Sequence, residues 1–227
     1  MMVRVKKSRN AAFGRKIDQV LDGAWRIFQR DGYAGAGVDD IARAAGVSKA
    51  TLYAYFPDKR LMFQQTMQMA LERNRTTPLE SVPPDLPAAS GLPRITAEIT
   101  GWLNSDHEIR LFRLAIGEAN RFPAIARGYH DRFETLLGQP LRDRLEIFVK
   151  RGDLEIEDTA LAARQLIRLC GLAVLDRAAA RAADTDEAAV LRSAEMAATM
   201  FLRAYCPAAH AADRRSGARE ADVAPMR

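Results

Sequence analysis

Residues Val38 to Lys59 read VDDIARAAGVSKATLYAYFPDK. Their pattern predicts two short helices, about Val38 to Ala45 and Lys49 to Tyr55, joined through Gly46, Val47 and Ser48. Gly46 suits the left-handed turn that closes the first helix, and Ser48 can cap the second. Pro57 forbids that second helix from continuing. Ala42 falls where the two helices cross and must be small, while Val47 and Leu52 face inward and seal the joint against Ile41. Together these positions make a helix-turn-helix. The second helix of such a unit enters the major groove of DNA with its N-terminal residues against base edges, and here those residues are Ser48, Lys49, Ala50 and Thr51. Lys49 can donate to guanine O6 or N7 or to a phosphate. The Thr51 hydroxyl can bond a phosphate or a base, and its methyl or that of Ala50 can touch a thymine methyl. Tyr53 and Tyr55 bring hydroxyls within reach of the DNA backbone.

Upstream, Ile17, Val20, Leu21, Ala24, Ile27 and Phe28 recur at helical spacing and form one apolar stripe. Gly32 stops this helix. Residues 1 to 16 hold Arg4, Lys6, Lys7, Arg9, Arg15 and Lys16 with no acidic residue and read as a flexible basic arm. Downstream, Asp58 caps a fourth helix, about Lys59 to Arg75, whose apolar positions cover more than one face. The reading is therefore an arm over 1–16, a DNA-binding domain over 17–58 and a connecting helix over 59–75. Pro78, Pro83, Pro84, Pro87 and Pro93 mark Thr76 to Pro93 as a loop or linker. Helical spacing then continues over about Arg94 to Asn104, Asp106 to Arg121, Ala124 to Arg151, Asp158 to Ala183 and Asp186 to Tyr205, within a second domain at 76–206. Residues 207–227 lack apolar periodicity and read as a disordered tail. The fold class is all-α, with an N-terminal three-helix DNA-binding domain followed by a larger helical domain.

Composition narrows the function. The 227 residues carry a formal charge of +5, and 48% are hydrophobic, as expected of a globular chain. The charge is regional: residues 1–75 hold 14 basic and 7 acidic side chains, and the remainder holds 20 and 22. A basic N-terminal part points to a polyanionic partner there and to a different task for the rest. No apolar run approaches the ~20 residues a spanning helix needs, and the start lacks the apolar stretch of a secretory signal. A cytoplasmic protein is expected. Cys170 and Cys206 are too few for a disulfide framework and read as small buried apolar residues. His107, His130 and His210 are scattered, and no HExxH, GxSxG, P-loop or Rossmann glycine pattern occurs. No catalytic residue, metal site or cofactor is expected. An architectural protein binding DNA by charge alone would have no need of a second domain with bulky apolar helices.

Over Arg15 to Arg73 the chain resembles the TetR family of one-component transcriptional regulators, through Gly32-Tyr33 at the end of the first helix and then IARAAGVSKATLYAYFPDKRLMF. The resemblance implies DNA contacts at Lys49, Ala50, Thr51, Tyr53 and Tyr55, and a backbone-contacting lysine at Lys59. Where the family commonly opens its second helix with Thr or Ser, this chain has Ala36 and Gly37, so the hydroxyl contact to phosphate is expected to be missing, while Gly37 can still cap the helix through its geometry. Arg43 is the nearest basic side chain to that helix. Arg110 to Tyr129 and Leu161 to Leu169 resemble the regulatory domain of the family's AefR-like branch. That likeness implies a homodimer through the last two long helices, a small-molecule effector and release of a repressor from a palindromic operator. For the effector pocket we expect a largely apolar lining from Met62, Met69, Trp102, Phe112, Ile116, Phe133 and Leu166, adaptable as methionine and aromatic side chains are. Glu118 and Asn120 could fix a polar group on the ligand, although an ion pair from Glu118 to a nearby arginine would also explain it.

Overall fold

The computed structural model describes residues 3–73, 75–172 and 187–207, with side chains from residue 14 onward. The described residues contain helices and no strand. They divide into two units, Met1–Arg75 with Arg110–Arg132, and Thr76–Ile109 with Phe133–Arg227.

In the first unit, α1 (Val3–Gly35) is helical up to Gly32, where φ 69 and ψ 179 break the regular path. Those angles are almost exclusive to glycine, which is why the helix stops where the sequence suggested. Its start differs: the backbone is already helical from Val3, where a flexible arm over 1–16 was expected. Lysine, arginine and alanine are good helix formers, so no apolar stripe is needed to extend a helix that Val20, Ala24 and Phe28 anchor downstream. Helix α2 (Val38–Ala45), α3 (Lys49–Tyr55) and α4 (Lys59–Glu72) follow. The core here gathers Ile41, Ala42 and Ala45 of α2, Leu52 of α3 and Met62, Phe63, Met67 and Ala70 of α4 against α1.

The same core includes Leu111, Leu114, Ala115, Phe122 and Ile125. They come from α6 (Asp106–Gly117), from α7 (Pro123–Phe133) and from the turn between them. This corrects the division at residue 76, because 110–132 belongs with the DNA-binding unit. The reason is aromatic packing at long range. Phe63 lies 4.7 Å from Phe122 and 4.9 Å from Phe28, and Tyr33 lies 4.9 Å from Phe122, centroid to centroid. Such clusters add to the burial of large apolar area. At the other end, buried Arg132 donates to the carbonyl of Arg73, just past α4, and Arg73 is paired with Asp22 of α1.

The second unit contains a 3₁₀ turn (Pro78–Ser81), α5 (Ala88–Leu103), α8 (Gln139–Lys150), α9 (Thr159–Cys170) and α10 (Glu187–Tyr205). Its core runs through Leu92, Ile95 and Ile99 of α5, Leu141, Leu145 and Phe148 of α8, Leu166 and Ile167 of α9 and Phe201 of α10. The expected linker over Thr76 to Pro93 is built structure instead. Leu79 and Val82 are buried, Arg144 donates to the carbonyls of Val82 and Pro83, and Arg151 to those of Asp85 and Leu86. Helix α5 begins six residues before the expected Arg94 and contains Pro93. Proline there costs one backbone donor, while the Asp153 carboxylate caps the helix by accepting from Ala88 N at 3.0 Å. The helix expected over Ala124 to Arg151 widens into a π turn at Glu134–Gly138. Pro140 follows after Gln139, and a π turn accommodates a ring that would clash with the carbonyl four residues back. The second half of the helix expected over Asp158 to Ala183, and the tail over 208–227, lie outside the described residues.

Candidate nucleic-acid interface

The joint between α2 and α3 is held by three kinds of contact. Gly46, at φ 64 and ψ 37, turns the chain out of α2. Gly46 N donates to Arg43 O and Val47 N to Ala42 O, the pair of bonds that satisfies the last carbonyls of a helix closed by a left-handed residue. The carbonyls left over are taken by α1: Gln19 Nε2 donates to Ala45 O at 2.6 Å, and Arg26 donates to Ala44 O. Neither Gln19 nor Arg26 is legible from the motif, since both lie on another helix. Their only sequence signal is a seven-residue spacing on one face of α1.

Ser48 then opens α3, its hydroxyl accepting from Thr51 N at 3.0 Å and lying 2.8 Å from the Thr51 hydroxyl. Leu52 is wholly buried and Phe56 nearly so, which fixes the rotation of α3 about its axis. Lys49 and Ala50 are then left exposed, with Tyr53 at 43% exposure. Thr51 is half-buried. Tyr55 is half-buried too and packs against the core, so of the two tyrosines it is Tyr53 that stands free of it. Helix α3 therefore has one face locked and one open.

Three basic side chains expected to meet DNA, Lys49, Arg43 and Lys59, are engaged within the protein. Lys49 Nζ lies 2.9 Å from Asp39 Oδ1, and the carboxylate raises the ammonium above its ordinary pKa, by hydrogen bond first and charge second. Arg43 Nη1 lies 2.7 Å from Asp40 Oδ1. Lys59 Nζ donates to Ala34 O and Ala36 O and lies 4.8 Å from the centroid of the Tyr33 ring. Gly37 caps α2 by backbone alone: its carbonyl accepts from Ile41 N, and no side chain caps the helix.

The expected pocket residues are not gathered within either unit. Met62 is wholly buried in the first unit's core, Met69 packs on that core, and Ile116 is exposed. Phe112 is half-buried, its ring 6.0 Å from that of Tyr129. Glu118 is occupied, accepting from Tyr33 N at 3.3 Å and pairing with Arg121 at 3.5 Å, and Asn120 is exposed. Trp102, Phe133 and Leu166 belong to the second unit's core cluster. An open cleft of that unit, about 310 Å³ with the solvent at its mouth, is bordered by Glu134, Gln139, Arg142 and Arg164 and by none of the expected residues. Among the described residues no group of acidic, histidine and cysteine side chains could hold a metal ion, and no helix is long and apolar enough to cross a membrane.

A helix-turn-helix with an open recognition face, followed by a second helical unit, defines the class of helix-turn-helix DNA-binding regulators. Residues 20–66 match bacterial regulatory proteins of the tetR family, and residues 90–207 match the C-terminal domain of AefR-like transcriptional repressors. The chain belongs to the TetR family of transcriptional regulators. It is 33% identical over 55 residues to the negative transcriptional regulator IcaR of the biofilm operon icaADBC from Staphylococcus aureus strain Newman. That match covers 24% of this chain and 30% of IcaR, so it spans well under two thirds of that relative's length. A crystal structure of a TetR-family regulator from Mesorhizobium loti is 25% identical, with a TM-score of 0.70 over 86% of this chain and 98% of the other. The flavonoid-responsive regulator FrrA is 29% identical, with a TM-score of 0.61 over 86% of this chain and 99% of its own. Family and neighbours are transcriptional regulators rather than enzymes.

Proposed function

We propose that the chain is a cytoplasmic, homodimeric repressor that binds a palindromic operator and is released from it by a small molecule bound in the C-terminal domain. The observation that carries this reading is the open face of α3, with Lys49, Ala50 and Tyr53 exposed while Leu52 locks the opposite side. In the proposed complex Lys49, Ala50, Thr51 and Tyr53 face base edges or nearby phosphates, and Tyr55, Lys59, Gly37 and Arg43 lie along the DNA backbone. Dimerisation is supported by apolar exposure near the end of the chain: Leu161 of α9, Leu172 just beyond it, and Leu191, Met196 and Met200 of α10 are all at least 44% exposed. Two copies joined there would present two recognition helices to half-sites about 34–36 Å apart.

An effector is supported by the AefR-like match and by the flavonoid-responsive relative. It follows that a planar aromatic molecule of that kind is the first to try, with Trp102, Phe133 and Leu166 as candidate lining. A ligand shifts DNA affinity only by its differential affinity for the two forms of the dimer, and DNA must weaken ligand binding by the same factor.

The test is selection of bound duplex from a random pool, followed by titration of the recovered site with wild type, Lys49→Ala and Tyr53→Ala. A palindromic site whose affinity falls in both variants is the expected result. Recovery of no preferred site, with affinity set by salt alone, would overturn the proposal. For the dimer, Met196→Glu with Met200→Glu should halve the mass measured by light scattering. An unchanged mass would place the interface elsewhere.

A further inference from the structure

Each cation assigned to DNA is engaged inside the free protein, and the pair at Lys49 is the most informative. Lys49 is the first residue of α3, where a recognition helix meets base edges. Its ammonium sits against both oxygens of the Asp39 carboxylate, 2.9 Å from Oδ1 and 3.2 Å from Oδ2. Asp39 is in the first turn of α2, a position the helix dipole favours for an acid. The pair therefore ties the opening turn of one helix to the opening residue of the other.

Two consequences follow from elementary chemistry. Affinity for DNA of any sequence comes from cations that neutralise phosphates, and a lysine held by a carboxylate must give up that partner to join the count. An ammonium also has three N–H groups and no acceptor. With at most two directed at Asp39, at least one stays available for an acceptor without breaking the pair. Guanine O6 or N7 is such an acceptor, is uncharged and occurs only at some positions, whereas phosphates occur at every step and their negative charge is repelled by the Asp39 carboxylate beside the ammonium. Both side chains are exposed, 53% for Lys49 and 71% for Asp39, so the pair biases the long lysine toward the held geometry rather than fixing it, which favours the contact that suits that geometry.

We propose that Asp39 is a specificity-setting residue: it positions Lys49 to read a base and withholds it from indiscriminate phosphate binding. This rests on the DNA-reading role assigned above. Removing the carboxylate frees Lys49, so affinity rises for all DNA and discrimination falls.

The experiment uses the full chain, a duplex recovered from a random pool by the wild type, and a shuffled duplex of the same composition. Dissociation constants are measured between about 50 and 200 mM salt for wild type, Asp39→Asn, Lys49→Ala and the double variant. Asparagine keeps the shape of the side chain, removes its charge and replaces one acceptor oxygen with an NH2 donor. Asp39→Asn is expected to tighten binding to the shuffled duplex and to steepen its log–log salt slope by about 0.9, the increment for one further phosphate. The preference for the recovered duplex should fall by about fivefold or more, the worth of one good base contact at its lower end. In the Lys49→Ala background the same substitution should leave slope and preference where they were. Equal effects with and without Lys49 would overturn the inference, because Asp39 would then act through its own charge alone. An unchanged preference in Asp39→Asn would overturn it as well. A wild type that prefers no duplex would instead remove the DNA-reading role, and this inference with it.

Discussion

Gly23 lies on α1 where α2 crosses it, and a Cβ built there would stand 2.6 Å from the Cα, Cβ and N of Ala45. Ordinary contacts of such an atom begin near 3.4 Å, so Gly23→Ala must move α1 and α2 apart by roughly 1 Å, comparable with the overpacking cases in which cores respond by backbone shifts. The obstructing atoms are largely backbone, so no side-chain rotation relieves the clash. Opening the joint also stretches the bonds from Gln19 to Ala45 O and from Arg26 to Ala44 O, which satisfy the end of α2. Overpacking costs about 1–3 kcal/mol, and each strained bond adds up to about 1 kcal/mol. Against this stands the gain of about 1 kcal/mol from replacing glycine by alanine inside a helix. The net expectation is a loss of up to about 4 kcal/mol, centred near 2 kcal/mol. Gly14→Ala is the matched control, since it lies on the same helix and nothing lies within 4 Å of its Cβ. It should gain up to about 1 kcal/mol. The assay is urea unfolding followed by tryptophan fluorescence in a Trp102→Phe background. Trp25, in the first unit's core, is then the sole reporter. A Gly23→Ala protein as stable as its parent would refute the close crossing of α1 and α2.

Further tests address other parts of the fold. Gly46→Ala should cost about 1–2 kcal/mol from the left-handed backbone alone, since its Cβ would lie at an ordinary 3.5 Å from Gln19 Nε2. Gly46→Asn should recover part of that loss, and urea midpoints of the two variants would compare them. Asp158 accepts from Leu161 N at 2.8 Å at the start of α9, so Asp158→Ala should lower stability by about 1 kcal/mol and Asp158→Asn by much less. Burial pushes the Cys170 thiol up from an ordinary value of 9.0 to about 11. Above pH 9 the unfolded chain loses this proton while the folded chain keeps it until near 11. The contribution is therefore full below pH 9 and is lost as pH rises through that window, by on the order of 2–3 kcal/mol in total. Cys170→Ala should flatten the fall in stability between pH 9 and 11 by that amount. An identical pH slope in the variant would show that the thiol is not held out of water.

Helix ends were the most readable features of the chain, because their signals are local. Gly32, Gly46, Ser48, Asp58 and Asp158 each act on a backbone group within four residues, and each stands at the boundary that its chemistry implies. The open and locked faces of α3 were likewise implicit in the positions of Lys49, Ala50, Leu52 and Tyr53. The pocket set was not, since Met62 and Ile116 carry the same apolar label in sequence yet are wholly buried and 53% exposed.

What the amino-acid order determined by itself was the all-helical class, the helix-turn-helix and the residues at the opening of its second helix. These rest on periodicity, capping and small-residue spacing within a short stretch. Tertiary structure alone decided that 110–132 joins the first unit, that the proline-rich segment before α5 is pinned rather than loose, and that Lys49 is held by Asp39. Each depends on a partner well away in the chain. Phe122 reaches Phe63, Arg144 and Arg151 reach the carbonyls of 82–86, and a carboxylate ten residues back reaches an ammonium. Periodicity can say which face of a helix seeks burial, but only the folded chain supplies what that face or charge meets.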